Sequence, residues 1–108
     1  LRLGADLPPG PCTRERAAAA VAEVFAAIEI VEKRYTDLAE LGTPALIGDQ
    51  VFHRAGVLGA PAAGWRGADL AALRGRMTVD GRLRGDGVGA DLLGHPFEAL
   101  AWLAASPG

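Results

Sequence analysis

The chain has 108 residues, which is the length of one domain or of a piece of one. Half of its residues are hydrophobic and 22% are charged, a composition that excludes a disordered chain. The net charge of -2 comes from 11 basic and 13 acidic residues that are well mixed, so we expect no nucleic-acid partner. The longest apolar stretches, such as Ala17 to Ala22, are too short to cross a bilayer, so we expect no membrane partner. Cys12 is the only cysteine, which favours the reducing cytoplasm.

The start of the chain predicts a strand and then a loop. The chain begins with Leu1 rather than methionine, and Leu1-Arg2-Leu3 is typical of the end of a strand. We therefore expect an upstream segment; an expression boundary or a processed terminus is the alternative. Leu7-Pro8-Pro9-Gly10-Pro11 predicts a loop, because proline fixes φ and removes hydrogen-bond donors.

In the next segment the spacing of the apolar residues changes from that of a helix to that of a strand. Thr13 is a suitable N-cap for a helix that we predict to end near Phe25 to Ala27. Its buried face is predicted from the helical spacing of Val21, Val24, Phe25 and Ile28. From about Ile28 to Tyr35 the side chains alternate and are often β-branched, which predicts a strand.

The second half predicts short elements separated by turns. We predict a helix within Ala45 to Arg54, a strand over Ala55 to Gly59, and a loop from Ala60 to Gly67 that Trp65 fixes to the body. Asp80-Gly81 predicts a two-residue hairpin turn between strands that include Met77 to Val79 and Arg82 to Arg84. Pro96 opens a last helix that runs to Ala105 and is stopped by Ser106-Pro107-Gly108. The predicted apolar face of this helix is formed by Phe97, Leu100, Ala101 and Ala104.

Glu29 is the most informative acidic residue. Ile28 and Ile30 flank it inside an apolar run, so we expect its carboxylate to be at least partly buried. A buried charge requires an ion pair, hydrogen bonds or a metal ion. Asp49, after Ile47-Gly48, is the other acid in apolar surroundings. Two explanations remain open for Glu29: an oxygen-ligated cation such as Mg²⁺, or an ion pair with Arg34 or Arg54 inside the fold.

Other motifs point to no separate chemistry. Gly85, Gly87 and Gly89 follow a hairpin rather than joining a strand to a helix, so they do not form a dinucleotide-binding loop and instead permit close approach of a backbone or ligand. His53 and His95 have no zinc-ligand spacing, and for both a structural or surface role is the simpler interpretation. His95 precedes Pro96, where its ring could cap the last helix or line a pocket.

Several segments match one family pattern in order. The most specific block is Leu93-Gly94-His95-Pro96-Phe97-Glu98-Ala99-Leu100-Ala101-Trp102-Leu103-Ala104. The other matching segments are Leu1 to Leu7, Ala27 to Arg34, Ile47 to Gln50, Ala55 to Gly59, Val79 to Gly81 and Gly85 to Gly87. Together they resemble the C-terminal part of the fumarylacetoacetate hydrolase superfamily, in the branch of 2-keto-4-pentenoate hydratases and 2-oxo-3-hexenedioate decarboxylases. The resemblance implies an α+β fold, namely a partial domain of the mixed β-roll with helices outside, as the C-terminal part of a single catalytic domain.

The resemblance also implies the chemistry. Family members hold Mg²⁺ or Mn²⁺ with three carboxylates, of which one matches Glu29 and two come from an upstream Glu-x-Glu pair. The metal would bind a small 2-oxo acid and stabilise an enolate, after which water adds or CO₂ leaves. By this resemblance Asp49 and His95 are candidate catalytic residues, and Gln50, Phe52 and Gly94 are candidate pocket residues. We also expect a homo-oligomer.

Departures from the family pattern keep three functions open. The Glu-x-Glu pair and an upstream lysine are absent from these residues, and Val51-Phe52-His53 replaces small and hydroxyl residues near the pocket. The leading function is a metal-dependent hydratase or decarboxylase acting on a 2-oxo-alkenoate in meta-cleavage aromatic catabolism, which would be inactive as these residues alone. The alternatives are a degenerate or truncated paralogue that serves as a binding or oligomerisation module, and an acylpyruvate-type C–C hydrolase.

Overall fold

The computed structural model describes residues 1–37 and 40–106. These residues form a mixture of helices and strands, in agreement with the predicted α+β class. The chain divides into two compact units: unit 1 comprises Leu1–Val24 and Ala62–Gly108, and unit 2 comprises Phe25–Pro61. Across the described ranges, no helix is long and apolar enough to cross a membrane.

Unit 1 begins with a short strand and a helix. Strand β1 (Arg2–Leu3) pairs antiparallel with β2 (Val21–Glu23), and helix α1 (Arg14–Ala20) lies between them in the chain. The predicted cap is confirmed, because Thr13 Oγ1 accepts a hydrogen bond of 3.2 Å from the Arg16 amide. The helix ends at Ala20, so the prediction of an end near Phe25 to Ala27 is wrong. Val21 is β-branched and pairs with β1 instead, which takes the chain out of the helix.

The rest of unit 1 is a hairpin and a helix. Strands β5 (Arg74–Val79) and β6 (Arg82–Val88) are antiparallel and are joined by Asp80-Gly81, whose φ angles of 51° and 73° confirm the predicted turn. Helix α3 (Pro96–Ala105) opens at the predicted proline and ends at Ala105, where Ser106 is the C-cap. Pro107 and Gly108 of the predicted stop lie outside the described residues.

The core of unit 1 is small and apolar. Its buried cluster consists of Val21, Leu70 and Phe97, against which the partly buried Trp65 and Leu100 pack. The Trp65 and Phe97 rings meet edge to face with their centroids 5.9 Å apart, so Trp65 does fix its loop to the body as predicted.

One glycine of the Gly85-x-Gly-x-Gly89 run permits a close backbone approach. A Cβ atom at Gly89 would lie 1.9 Å from the carbonyl oxygen of Leu70, whereas one at Gly85 would meet nothing within 4 Å. The structural explanation of this run is therefore confirmed at Gly89.

Unit 2 is a two-stranded ribbon with a short helix in its connection. Strand β3 (Phe25–Val31) pairs antiparallel with β4 (His53–Pro61), and helix α2 (Thr43–Gly48) lies between them in the chain. The predicted strand Ile28 to Tyr35 is therefore displaced, since β3 begins earlier and ends at Val31. The predicted strand Ala55 to Gly59 is confirmed within the longer β4.

Two further predictions for unit 2 need correction. The short helix predicted within Ala45 to Arg54 is present as α2, but it begins at Thr43 and ends at Gly48. It does not continue because Gln50, Val51 and Phe52 have φ angles of 55°, 52° and 67°, in the left-handed region. Ile28 does not belong to a buried helical face, because it is 56% exposed on the ribbon.

Candidate active site

Glu29 lies on the ribbon of unit 2 with its carboxylate accessible. Its side chain is 60% exposed, so the expectation that it is buried is wrong. Ile28 and Glu29 alternate to opposite faces of β3 and both are exposed, because neither face of the two-stranded ribbon is fully covered. Exposure removes the need for an internal ion pair and leaves the carboxylate available to a ligand.

The partner of Glu29 is His53, from the adjacent strand. The two atoms His53 Nδ1 and Glu29 Oε1 are 2.8 Å apart. Val31 is the residue of β3 opposite His53, and Glu29 lies two residues before it on the same face, so the contact is a diagonal cross-strand pair. The ion pair proposed between Glu29 and Arg34 or Arg54 is therefore wrong: Arg34 pairs with Asp49, and Arg54 Nε lies 3.6 Å from Glu32.

Arg34 connects the two strand ends. Its guanidinium donates to Asp49 Oδ1 at 2.5 Å and to the backbone carbonyl oxygen of His53 at 2.6 Å. A guanidinium presents several donors in a rigid plane, so one side chain can hold both acceptors. Arg34 thereby fixes the chain immediately before β4, where His53 begins the strand.

Asp49 orders the left-handed turn that precedes His53. Its Oδ1 accepts from Arg34, and its Oδ2 accepts from the Phe52 amide at 3.1 Å. The side chain of Asp49 is only 10% exposed, so it is shielded as the sequence suggested. The hydrogen bond from Arg34, with help from its charge and from the Phe52 amide and the Tyr35 hydroxyl, lowers the pKa of Asp49, and the same pairing raises the pKa of Arg34.

The two predicted pocket residues of unit 2 lie on this turn. Gln50 is exposed, and Phe52 is half-buried with its ring 6.2 Å from the Tyr35 ring, in an edge-to-face arrangement. The Phe52 side chain thus has a packing role within unit 2, and its predicted role in a substrate pocket stays a prediction.

The remaining candidates belong to unit 1, at the start of α3. His95 is the N-cap residue, and its Nδ1 accepts a hydrogen bond of 3.0 Å from the Phe97 amide, so the capping role predicted for it is confirmed. Gly94 precedes it with φ 83°, a conformation that glycine adopts without strain. The structure therefore brings Glu29, Asp49, Gln50 and Phe52 into unit 2 and places Gly94 and His95 in unit 1.

Two residues have contacts that the sequence does not predict. The sequence favours a surface or structural role for His53 and offers Arg34 only as an alternative partner for Glu29, whereas His53 contacts Glu29 and Arg34 contacts Asp49 and the His53 carbonyl oxygen. The alternation of β3 was the available pattern, because it puts Glu29 and Val31 on one face. Choosing His53 as the partner also requires the register of β4, which no sequence motif specifies.

The described residues do not complete a site for a hard divalent cation. Within residues 1–37 and 40–106 no three His, Cys, Asp or Glu side chains are grouped so that they could hold a metal ion. Glu29 contributes one exposed carboxylate, whereas both oxygens of Asp49 are engaged. Mg²⁺ needs more oxygen ligands than Glu29 alone provides.

Comparison with known proteins finds a similar enzyme. No protein-family model matches the chain. The chain is 34% identical over 103 residues to a 2-hydroxyhexa-2,4-dienoate hydratase from Comamonas testosteroni. The match covers 95% of this chain and falls on the C-terminal portion of that hydratase. That hydratase is a meta-cleavage enzyme of the fumarylacetoacetate hydrolase superfamily, so the chain resembles the C-terminal portion of a member of that superfamily. The chain spans 39% of the length of this curated relative.

Proposed function

We propose that the protein is a hydratase that adds water to a conjugated 2-oxo or 2-hydroxy alkenoate in meta-cleavage aromatic catabolism. The observation that carries this proposal is the 34% identity, over nearly the whole chain, to an enzyme named as a hydratase of such a compound. The proposal includes the β-roll, a cytoplasmic location and a homo-oligomer, and it concerns the natural full-length protein, since the match covers 39% of the relative.

The proposal assigns Glu29 as one ligand of a divalent cation, Mg²⁺ or Mn²⁺. Support comes from the exposure of its carboxylate and from the single hydrogen bond it makes, which engages Oε1 and leaves Oε2 without a hydrogen bond within the described ranges. The remaining ligands would come from outside these residues. A bound cation of this kind would polarise the oxygens of a 2-oxo acid.

Each candidate residue then has a physical role. Asp49 orders the turn before β4 through Arg34 and Phe52 and acts as a positioning residue, because both of its oxygens are already engaged. His95 uses Nδ1 to cap α3, which leaves Nε2 for a proton or a substrate oxygen. Gln50 and Phe52 are proposed to line the pocket, where the bulk of Phe52 would restrict the substrate.

The test compares the full-length protein with its Glu29→Gln variant. Calorimetry measures Mg²⁺ and Mn²⁺ affinity, and loss of the conjugated alkenoate absorbance measures hydration. We expect Glu29→Gln to weaken metal binding by at least about tenfold. Removing a residue that only hydrogen-bonds to a metal ligand already lowers affinity by about that much, so loss of a ligand should cost no less. Glu15→Gln, in the first turn of α1 with a 75% exposed side chain, is the control and should behave as the parent.

Two results would overturn the proposal. If the parent binds neither cation at millimolar concentration, the degenerate binding or oligomerisation module is the better account. If the protein instead cleaves the C–C bond of an acylpyruvate and leaves alkenoates unchanged, the hydrolase alternative is correct.

A further inference from the structure

The contact between Glu29 and His53 is well formed although both side chains are accessible. Their side chains are 60% and 40% exposed, and the two atoms that meet are 2.8 Å apart. Exposed ion pairs contribute little to folding stability. The pair therefore contributes little to folding stability. Its more informative property is that it orients the Glu29 carboxylate.

Besides the contact of its ring with Glu29, His53 is held in place by hydrogen bonds of its backbone. Arg34 donates to the carbonyl oxygen of His53, and the His53 amide donates to the carbonyl oxygen of Gln50 at 3.1 Å. The ring is thus presented to Glu29 by the end of the left-handed turn. Three consecutive left-handed residues that are not glycine are strained, and such strain persists only where the surrounding contacts maintain it.

Asp49 and Arg34 supply those contacts. Asp49 accepts from the Phe52 amide at the end of the turn, and Arg34 joins Asp49 to His53. The amide of Glu32 also donates to the carbonyl oxygen of Phe52 at 3.0 Å, which ties the turn to the end of β3. These contacts fix the backbone of His53, and thus the point from which its side chain leaves the chain; in the structure Nδ1 of the ring lies 2.8 Å from Glu29 Oε1.

We propose that His53 is a positioning residue for Glu29. Its Nδ1–H group donates to Oε1 and directs the other carboxylate oxygen, Oε2, toward the divalent cation that Glu29 is proposed to bind. A carboxylate only accepts hydrogen bonds, so the hydrogen of this bond lies on Nδ1. Groups that hydrogen-bond to a metal-binding carboxylate fix its orientation. The inference rests on the proposed function, in which the Glu29 carboxylate is the working group.

The test uses the full-length protein, three single variants at these two positions, and the double variant that combines His53→Leu with Glu29→Gln. His53→Leu removes the donor while keeping a side chain of moderate size, and His53→Asn restores an N–H donor close to the place of Nδ1. Glu29→Gln removes the charge that the donor orients. Each is measured for kcat, KM and Mn²⁺ affinity, and thermal unfolding reports whether the variant is folded.

We expect His53→Leu to lower kcat/KM or Mn²⁺ affinity by about 10- to 100-fold, with the unfolding midpoint unchanged. His53→Asn should recover most of that loss, which a purely steric role would not allow. In the Glu29→Gln background, His53→Leu should have no further effect, because the two residues act as one unit.

A spectroscopic measurement tests the contact without any activity. In ¹⁵N spectra of the imidazole nitrogens, the neutral His53 ring should carry its hydrogen on Nδ1, and loss of the signal in His53→Leu assigns it. His95 gives the opposite reference, since its Nδ1 accepts from the Phe97 amide and its hydrogen lies on Nε2. A hydrogen on Nε2 of His53 overturns the proposal directly.

The remaining outcomes separate the two proposals. If Glu29→Gln impairs metal binding and His53→Leu matches the parent, the positioning role is wrong and the proposed function stands. It is also wrong if His53→Asn is as impaired as His53→Leu. If Glu29→Gln itself leaves metal binding and hydration unchanged, the role of Glu29 fails, and the positioning role fails with it.

Discussion

Unit 1 and unit 2 are stabilised by different kinds of interaction. Every residue of the buried hydrophobic core lies in unit 1: Ala17, Ala20, Val21, Leu70, Phe97 and Ala101. Among its described residues, unit 2 has no buried side chain, and its turn is maintained by the hydrogen bonds of Arg34 and Asp49. Apolar packing tolerates polar substitution poorly, whereas a hydrogen-bonded turn depends on the charge state of its members.

The two units also differ in that the residue with the proposed chemistry lies in unit 2. Glu29, which carries the proposed chemistry, lies on the ribbon of unit 2, where both faces retain exposed side chains. Segments with few buried apolar contacts open most readily, and binding residues are often found in them. A working carboxylate there must be oriented by polar contacts, because little packing is available to do so. Substitutions in the core of unit 1 should therefore affect stability most, and substitutions in the turn of unit 2 should act through its polar contacts.

The largest effect is expected in the core of unit 1. Phe97→Ala removes the ring that packs against Trp65 and should lower the free energy of unfolding by about 3–5 kcal/mol. Urea unfolding followed by tryptophan fluorescence measures it, since both tryptophans, Trp65 and Trp102, lie in unit 1. Leu103→Ala on the same helix is the control. Leu103 is 63% exposed, so this variant should change the free energy of unfolding by no more than about 0.5 kcal/mol. Equal losses for the two variants would contradict the assignment of Phe97 to the core.

A smaller effect is expected at the close approach in unit 1. Gly89→Ala places a Cβ atom where the carbonyl oxygen of Leu70 lies, so the backbone must move, at a cost of about 1–3 kcal/mol. Gly85→Ala is the matched control, because its Cβ would meet nothing within 4 Å. The same urea titration separates them, and a Gly89→Ala variant as stable as Gly85→Ala would show that the approach is not maintained in solution.

The elements that could be predicted from sequence are those with local determinants. The hairpin β5–β6 follows from Asp80-Gly81, and α3 follows from Pro96 and the helical spacing of its apolar residues. The boundary of α1 could not be placed, because the residues from Val21 to Ile28 satisfy the helical spacing while β-branched residues favour a strand. The boundary is set by the pairing of β2 with β1, and such long-range pairing is not specified by the local sequence.

The candidate site was predictable in its residues but not in its contacts. Glu29 and Asp49 are recognisable as acids in apolar segments. Their partners depend on the register of β3 with β4, which shifts between Ile30 and Val31, and on a left-handed turn formed without glycine. Neither feature has a sequence pattern that specifies it. The resemblance to the superfamily follows from ordered matching segments, and the 34% identity to one of its members confirms that resemblance.

The last prediction concerns the acid stability of unit 2. The pKa of Asp49 is lowered in the folded protein, mainly by the hydrogen bond from Arg34, so folding favours its ionised form. The corresponding stabilisation is complete above about pH 5 and is lost progressively as the pH falls through the lowered pKa. Urea midpoints measured from amide NMR signals of β3 and β4 at a series of pH values should therefore decline on acidification.

Asp49→Asn isolates the contribution of this carboxylate. The variant should be less stable near neutral pH, since the amide cannot form the ion pair with Arg34, and its decline between about pH 5 and pH 2 should be shallower than that of the parent. Asp86→Asn is the control, because Asp86 is exposed and makes no ion pair within the described ranges, so its acid profile should follow the parent.

Glu15 in unit 1 also has a lowered pKa, caused mainly by its hydrogen bonds to the backbone and to Thr13, so the signals of unit 1 will show some acid dependence in every variant. A profile for β3 and β4 that is the same in Asp49→Asn and in the parent would mean that the turn, and with it the presentation of His53 to Glu29, is maintained by something other than the Asp49 charge.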